Sequence, residues 1–529
     1  MFRTLWHPSR LPLVAMAVLA ATLVAYETDP LPWANSDSVE YVVSARNLIQ
    51  GKGLGLFQAS GDFSPIAHFP PLYPLLLSSA ALVGADPLLG ARWLSAAAFA
   101  IYVLLVGLSA QHFLGSRLLG LAVGAVMLTS ARLVYLFGGA ISESVFLPLA
   151  FGSTILALLY AERPGTGLLV AAAATASLAA MTRYAGLSLA LSGPLILVLL
   201  SRQPLSRRLL DSMALAFMSV LPVAVWTFYA RTAYHSGPPR EVSIIVDGLW
   251  DRLQGFRGAM VGTLWSMVPF AEVWPPLRYL AKLTLIVLAV GAASVAVGLF
   301  LHRSRRRAGP DPRDRPARLV AGLTIFALSY ITGLAVASAS TVPAPDVDFR
   351  MLSPLLAALW LSLMGLGAFS GRRGVIALAF GLSLFAVIQN VPATSSSVAR
   401  LHESGDGYTS LVWRSSSVIE AVRDLPSDVA LISNESAALL LWTQRPAFDI
   451  PELQRERGRD TFRAFGLEPE DPIETRFRTQ GSALVIFPSI IRQLRPLYGL
   501  RTEERLDSLT HGLNVFAELP DGVIYFYPR

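Results

Sequence analysis

Long apolar runs separated by short polar loops occupy the first 390 residues of the chain. Most runs approach the roughly 20 residues with which an α-helix crosses the core of a bilayer. The pattern therefore predicts a polytopic α-helical membrane protein with about eleven transmembrane helices. We place them at residues 11–26, 91–111, 118–137, 143–160, 167–182, 185–201, 210–230, 280–301, 318–338, 351–369 and 374–390. A shorter apolar stretch at 71–84 follows a group of prolines, so we expect an interfacial helix on the outer face.

The pattern changes after Asn390. Residues 392–529 are polar and charged, and three short runs at 431–433, 482–487 and 523–527 have the composition of strands. A segment of about 130 residues is large enough to fold alone. We therefore expect two domains, a transmembrane catalytic domain at 1–391 and a small α/β domain at 392–529. The first contains two long outer loops, at 27–90 and 231–279.

Composition supports the membrane class and excludes others. Only 15% of the residues are charged, against about a quarter in soluble domains. The chain has no cysteine, which excludes disulfides and thiolate chemistry. The net charge of +7 does not indicate a nucleic-acid partner, because the basic residues lie in short loops between apolar runs.

The arginines predict the orientation. With the N-terminus inside, they concentrate in the inner loops, at Arg117, Arg163, Arg202, Arg207, Arg208, 303–318, Arg372 and Arg373. An odd number of spans then leaves the C-terminal domain outside. We expect a multi-pass protein of a bacterial inner (plasma) membrane with its active site on the extracytoplasmic face.

Charged residues at the outer ends of the predicted spans are the candidates for chemistry, because charges in an apolar bundle are costly unless they have a function. They are Asp37 and Glu40 in the first loop, Glu143 at the fourth span, Arg183 with Tyr184 between the fifth and sixth spans, and Asp346, Asp348 and Arg350 before the tenth. They suit displacement at a sugar carbon. A carboxylate takes the proton of the acceptor, and arginines hold the phosphate of the leaving group through paired hydrogen bonds. The chain has no phosphate-binding loop and no dinucleotide fingerprint.

Each candidate also has a structural interpretation. Asp37 could be a solvated loop residue or a helix N-cap, and Glu40 could face away from it. Glu143 could be a helix N-terminal charge favoured by the dipole. Arg183 and Arg350 could be interfacial anchors, Asp346 and Asp348 solvated, and His68 a packing residue.

Five motifs together resemble the GT-C superfamily of polyprenyl-phosphate-sugar glycosyltransferases, and most closely its bacterial protein O-mannosyltransferase-like and aminoarabinose transferase-like members. They are Asp37…Tyr41…Ala45…Leu48…Gly51, Pro70-Pro71-Leu72-Tyr73-Pro74, Ser142-Glu143, Thr182-Arg183-Tyr184 and Arg350-Met351-Leu352.

The resemblance implies a catalytic base at Asp37, a second catalytic carboxylate at Glu143 and phosphate-facing arginines at Arg183 and Arg350. It also implies a substrate-binding surface that includes Glu40, Tyr41, His68, Tyr73 and Tyr184. Many members have an Asp-Glu pair where this chain has Asp37-Ser38. A divalent cation is therefore possible but not required.

The expected function is transfer of a sugar from a polyprenyl-phosphate donor to a lipid, glycan or protein acceptor. A lipid or glycan transporter and a non-catalytic cell-envelope scaffold are the alternatives. Transporters place charges near the bilayer midplane and often contain repeats, whereas these charges lie at span ends and the sequence shows no repeat. The sequence leaves the sugar, the acceptor and the linkage open.

Overall fold

The computed structural model describes residues 10–66, 68–234, 241–242, 249–267, 314–342, 346–450, 453 and 481–527. The predicted span at 280–301 and most of the basic loop at 303–318 lie outside the described residues. The described helices and strands are, in chain order, α1 (Leu11–Glu27), α2 (Ser36–Ile49), β1 (Gly55–Phe57), β2 (Phe63–Pro65), α3 (Leu72–Ser78), α4 (Pro87–Leu114), α5 (Arg117–Leu128), α6 (Ala131–Phe137), α7 (Glu143–Glu162), α8 (Thr166–Thr182), α9 (Leu189–Leu200), α10 (Leu205–Tyr234), β3 (Glu241–Val242), α11 (Leu249–Ser266), α12 (Asp314–Ser340), β4 (Thr341–Val342), α13 (Phe349–Leu352), α14 (Pro354–Ser370), α15 (Arg373–Ser404), α16 (Leu411–Arg414), α17 (Ser417–Asp424), β5 (Leu431–Ser433), α18 (Ser436–Thr443), β6 (Ala447–Asp449), β7 (Ala483–Ile486), α19 (Ile490–Tyr498), α20 (Thr502–Thr510), β8 (Asn514–Leu519) and β9 (Gly522–Phe526).

The chain forms two compact units. The first unit comprises Met1–Pro32, Ala67–Leu76 and Leu89–Glu403. The second unit comprises Trp33–Ile66, Leu77–Leu88 and Ser404–Arg529. The domain boundary at residues 391 and 392 stays a prediction, and α15 runs across that position without a break.

Five described helices are long and apolar enough to cross a membrane, namely α4, α7, α10, α12 and α15. The pair α5 and α6 makes a sixth if it is one span, although its two helices are bent by 63°. Five shorter apolar helices contain 10–17 residues each. The total of eleven spans stays a prediction. The span predicted at 118–137 consists of the two helices α5 and α6, because the chain breaks at Thr129 and Ser130.

Helices α7, α12 and α14 pack closely at glycines. A Cβ atom at Gly322 of α12 would lie 2.4 Å from a methyl carbon of Leu158 in α7. A Cβ at Gly365 of α14 would lie 2.5 Å from a methyl carbon of Val320 in α12. Small residues allow transmembrane helices to approach this closely. They hold α7, α12 and α14 together.

The second unit contains a five-stranded sheet of order β6-β5-β7-β9-β8. Strand β5 pairs in parallel with β6 and β7, whereas β9 pairs antiparallel with β7 and β8. Side chains of β7 alternate between two cores, as the two-residue period of a strand requires. Val485 packs with Val418 and Leu439 on one face, and Leu484 packs with Ile490 on the other. The α/β fold and the three strands predicted from the sequence are confirmed.

Helix α2, from the predicted first outer loop, belongs to this second unit. Arg46 forms an ion pair with Asp86 at 2.8 Å and donates to the carbonyl of Leu441 at the same distance. The backbone N–H of Tyr408 donates to the carbonyl of Ala34 at 2.7 Å. These contacts join the start of the chain to the C-terminal sheet, a grouping that no motif in the sequence indicates.

Arg445 is a structural cation in the second unit. Its guanidinium donates to four backbone carbonyls around the turn that precedes β5, those of Val422, Leu425, Pro426 and Val429. Burial lowers the pKa of this guanidinium, while nearby Asp428 raises it. The side chain thus satisfies backbone acceptors that the turn leaves without helix or strand partners.

Candidate active site

Glu143 is a buried carboxylate at the first position of α7, and only 2% of it is exposed. The N-terminal end of a helix stabilises a negative charge. The hydroxyl of Ser142 lies 3.5 Å from Oε2 of Glu143. A charge this deeply buried needs ionic partners, because desolvating it alone would cost several kcal/mol.

Arg183 supplies the first partner. It follows the last residue of α8 in an extended conformation, and its Nη1 lies 2.8 Å from Oε1 of Glu143. The same nitrogen donates to the hydroxyl of Ser142 at 3.0 Å.

Gly186 shapes the turn that presents Arg183. Its N–H donates to the carbonyl of Arg183 at 2.8 Å. A Cβ atom at position 186 would lie 2.6 Å from the backbone nitrogen of Ala180. Only glycine fits against the last turns of α8, which explains the glycine in Arg183-Tyr184-Ala185-Gly186.

Arg350 supplies the second partner, from the short helix α13. Its Nη1 lies 3.8 Å from Oε1 of Glu143, and its Nε donates to Asp348 at 3.0 Å. Asp348 is also the N-cap of α13, since it accepts the N–H of Met351 at 3.0 Å. Asp348 was expected to be merely solvated. Its side chain is 44% exposed, yet it fixes both the helix and the guanidinium of Arg350.

Met351 and Tyr330 complete the surroundings of the pair. The sulfur of Met351 accepts from Nη2 of Arg183 at 3.2 Å, and its carbonyl accepts from the hydroxyl of Tyr330 at 2.7 Å. Tyr330 lies in α12 and is buried. Four parts of the chain, α7, the end of α8, α12 and α13, therefore meet at one carboxylate.

The three charged side chains that meet here differ in how deeply they are buried. Glu143, Arg183 and Arg350 have side chains that are 2%, 18% and 33% exposed. Two guanidiniums thus share one buried carboxylate, and Asp348 pairs with the guanidinium of Arg350. Planar guanidiniums match the oxygens of a phosphate. The interpretation of both arginines as lone interfacial anchors is wrong, because both face Glu143.

Asp37 lies in the first turn of α2, in the second unit. The N-cap is Asn35, so the interpretation of Asp37 as the cap is wrong. The side chain of Asn35 accepts the N–H of Ser38 at 3.0 Å, and the Ser38 hydroxyl accepts the N–H of Asn35 at 3.1 Å. Ser38 thus completes a capping box, which is a structural reason for a serine directly after Asp37. Glu40 is three residues beyond Asp37 and shares its side of the helix, contrary to the expectation that it faces away. That Asp37 shares a site with Glu143 stays a prediction.

The remaining candidates are aromatic or imidazole side chains. Tyr41 is buried in α2, and Tyr73 is buried in α3. The His68 ring packs against the Phe69 ring with centroids 4.4 Å apart. Tyr184 is half-buried at the start of a short 3₁₀ helix, Tyr184–Ser188. Roles for these four in substrate binding stay predictions.

Within the described part of the chain, no three His, Cys, Asp or Glu side chains are grouped so that they could hold a metal ion. The possible divalent cation therefore stays a prediction.

Sequence analysis missed the partners of the candidate residues. The sequence did contain signals for the partners of Asp348. Asp348 stands two residues before Arg350 and three residues before Met351, whose backbone N–H it accepts as the N-cap. Tyr330 and Met351 gave no signal, because their roles depend on the packing of α12 beside α13.

Three solved structures are similar to this chain over nearly its whole length. The chain is similar over 97% of its length, and over 98% of the other chain, to ArnT from Cupriavidus metallidurans bound to undecaprenyl phosphate, with 15% identity and a TM-score of 0.52. It is similar over 100% of its length, and over 75% of the other chain, to the archaeal oligosaccharyltransferase AglB from Archaeoglobus fulgidus in complex with an inhibitory peptide and a dolichol-phosphate, with 12% identity and a TM-score of 0.50. The arabinofuranosyltransferase AftD from Mycobacteria matches 98% of this chain over 41% of its own, with 16% identity and a TM-score of 0.51.

No protein-family model and no curated protein sequence matches the chain. At such low identities the three structures report on the fold alone. The chain shares the fold of these three solved structures, that of a polytopic helical membrane protein with a C-terminal sheet region.

Proposed function

We propose that this protein is a membrane glycosyltransferase that moves a sugar from a polyprenyl-phosphate carrier to a lipid, glycan or protein acceptor. The observation that carries the proposal is the convergence of Arg183 and Arg350 on the buried carboxylate of Glu143. The GT-C fold supports it, since the solved structure of ArnT contains undecaprenyl phosphate and that of AglB contains a dolichol-phosphate.

The proposed reaction is a displacement at the anomeric carbon. The carboxylate of Asp37 takes the proton from the attacking group of the acceptor. That group forms the new bond to the sugar as the bond between the anomeric carbon and the phosphate oxygen breaks. The electron pair leaves with the phosphate, which changes from a diester to a monoester and gains negative charge. Arg183 and Arg350 stabilise that charge, because they are held in place before the reaction begins.

Glu143 has a positioning role in this proposal. It was expected to be a second catalytic carboxylate, but its Oε1 is shared by two guanidiniums and the residue is almost fully buried. A carboxylate in that setting orients the arginines. The two guanidiniums then bind the carrier phosphate.

The sidedness is part of the proposal. We place the protein in the bacterial inner membrane with α2 and the C-terminal sheet on the extracytoplasmic face, from the arginine distribution. Reporter fusions at Arg163 and Ser415 should report opposite sides of the membrane. Equal signals would contradict the orientation.

A transfer assay tests the function. The purified protein in lipid nanodiscs would receive undecaprenyl phosphate linked to each of a panel of radiolabelled sugars, with envelope lipids and glycans as acceptors. We expect label in the acceptor and an equal amount of free undecaprenyl phosphate. A carrier that crosses or leaves the membrane with its sugar still attached would indicate transport instead.

Asp37→Asn is the decisive variant in this assay. It keeps the side-chain size and removes the proton acceptor, so turnover should fall about a hundred-fold or more while carrier binding persists. Asp424→Asn, which makes the same change at an exposed carboxylate at the end of α17, is the matched control. Turnover of Asp37→Asn close to that of the unmodified protein would remove Asp37 from the proposed mechanism.

A further inference from the structure

A second polar network lies at the end of α7 that is farthest from Glu143. The hydroxyl of Tyr160, in the last turn of α7, donates to the carboxylate of Asp211 in α10 and accepts from Nε2 of Gln203 at 3.3 Å. Asp211 is buried, and its Oδ2 lies 3.3 Å from Nε of Arg207. At the rise of about 1.5 Å per residue of an α-helix, Tyr160 lies roughly 25 Å along α7 from Glu143. The network is therefore separate from the arginine cluster.

Two arginines around this network are held by ion pairs and still face solvent. Arg207 is held by Asp211. Arg202, in the turn between α9 and α10, donates from Nη2 to Oδ2 of Asp314 at 3.0 Å, and Asp314 is the first residue of α12. The side chains of Arg202 and Arg207 are 55% and 58% exposed. A guanidinium has five N–H donors, so one that is fixed on one side and exposed on the other can still bind a ligand.

Helix α10 presents an apolar stripe beside Arg207. Only 28% of the most apolar 18-residue stretch of α10 is buried, against 78% in α7. Leu210, Met213 and Phe217 are exposed, and their spacing of three and four residues places them on one side of the helix. Leu210 is three residues after Arg207, so the side chains of these two residues are neighbours. An exposed apolar stripe on a helix long enough to cross a bilayer is a surface for lipid chains.

The guanidiniums and the stripe together suit one kind of ligand, a phospholipid with an anionic head group. The planar fork of an arginine matches the oxygens of a phosphate, and basic pockets beside transmembrane helices bind anionic head groups. The orientation of a membrane protein requires only the charge of its arginines. The ion pairs to Asp211 and Asp314 add a fixed position, which a binding site needs and an orientation signal does not.

We propose that Arg202 and Arg207 bind the phosphate of an anionic phospholipid whose acyl chains lie along Leu210, Met213 and Phe217 of α10. The occupant is a lipid because the apolar stripe adjoins one of the two arginines. This inference goes beyond the proposed function, and it involves neither the sugar carrier nor the residues around Glu143.

Binding of phosphatidylglycerol to the full-length protein in micelles of an uncharged detergent tests the proposal, with Kd measured by native mass spectrometry. Arg207→Gln should raise Kd about tenfold or more, since a hydrogen bond to a charged group is lost. Arg202→Gln should also raise it. Arg207→Lys should raise it less, because lysine keeps the charge but not the planar fork. Arg163→Gln removes an exposed arginine directly after α7; it is the matched control and should leave Kd unchanged.

Two further ligands separate the head group from the chains. Phosphatidylcholine has the same chains but a head group without net charge, so it should bind much more weakly. Glycerol phosphate has the phosphate without the chains and should displace phosphatidylglycerol only at much higher concentrations. Equal binding of phosphatidylcholine would overturn the proposal, because the stripe alone would then bind lipid. Displacement by glycerol phosphate at equal concentration would overturn it in favour of a site for free phosphate esters.

The variants can overturn the proposal independently. Equal binding of phosphatidylglycerol by the unmodified protein and Arg207→Gln would exclude the site, and so would an equal loss in Arg163→Gln, because general surface charge would then explain the effect. Arg207→Gln also removes a partner of buried Asp211. If that variant does not fold, Arg202→Gln decides, and an unchanged Kd there overturns the proposal. A negative sugar-transfer assay would overturn the proposed function alone, because the binding assay contains no sugar donor.

Discussion

Glu143 in the first compact unit and Glu435 in the second are both almost fully buried, and they differ in the partners that stabilise them. Glu143 is 2% exposed and Glu435 is 8% exposed. Glu143 faces two arginines, at 2.8 and 3.8 Å. Glu435 accepts hydrogen bonds from three uncharged donors, Ser489 at 2.5 Å, Gln493 at 3.0 Å and Tyr408 at 3.2 Å.

The difference separates a binding arrangement from a structural one. Around Glu435 the donors complete a network at the ends of β5 and β7, where neighbouring Asn434 bonds to the backbone of Phe487 at 2.9 Å. Buried polar groups satisfied in this way fix loops. Around Glu143 the partners are two guanidiniums from separate parts of the chain. Planar guanidiniums are suited to the oxygens of an incoming phosphate.

The largest effect should follow from Glu143→Gln. The substitution preserves shape but leaves two guanidiniums without their shared carboxylate. Breaking a buried ion pair by removing one partner costs about 3 kcal/mol or more. The free energy of unfolding in detergent, measured by denaturant titration, should fall by that amount, and transfer should be lost with it. Unchanged stability and transfer would show that Glu143 does not hold the arginines.

Arg350→Ala should act mainly on catalysis. Its side chain is one-third exposed, so the fold tolerates the loss. Transfer should fall about a hundred-fold, as when one preorganised donor is removed from a developing anion. Arg350→Lys should recover part of the loss. Arg163→Ala is the control, and an equal fall there would contradict a specific role for Arg350.

Gly186→Ala tests whether the turn after α8 positions Arg183. The added Cβ would meet backbone atoms at 2.6–2.7 Å, so the turn must move, at a cost of about 1–3 kcal/mol. We expect weaker transfer with a lower unfolding temperature. Gly152→Ala is the matched control, because its Cβ would meet only Leu105, at 3.9 Å. Normal transfer by Gly186→Ala would mean that Arg183 does not need this turn.

The smallest effect should follow from Glu435→Gln. An amide of the same shape can keep some of the hydrogen bonds from uncharged donors, so the free energy of unfolding should fall by about 1 kcal/mol. Transfer should not change. A large loss of transfer with intact stability would give Glu435 a functional role and remove the contrast with Glu143.

The comparison also shows what the sequence could reveal. Glu143, Arg183 and Arg350 were identifiable because charges at the ends of apolar runs are conspicuous, and the structure brings all three together. The strands β5, β7 and β9 were identifiable from composition and periodicity.

What escaped prediction depends on tertiary contacts. The break at Thr129 and Ser130 contains neither proline nor glycine, so nothing local announces it. Asp348 and Ser38 have ordinary polar side chains whose capping roles appear only once the helix starts are known. Glu435 was not singled out, because its donors come from segments 27 to 58 residues away in sequence.

The central claim is that the arginine cluster around Glu143 receives the phosphate of a lipid carrier. A cryo-EM structure of the protein with undecaprenyl phosphate in nanodiscs tests it most directly. We predict that the phosphate oxygens lie about 3 Å from guanidinium nitrogens of Arg350 or Arg183, with Glu143 still in contact with both arginines. A phosphate bound at another place, with the cluster unchanged, would contradict the account.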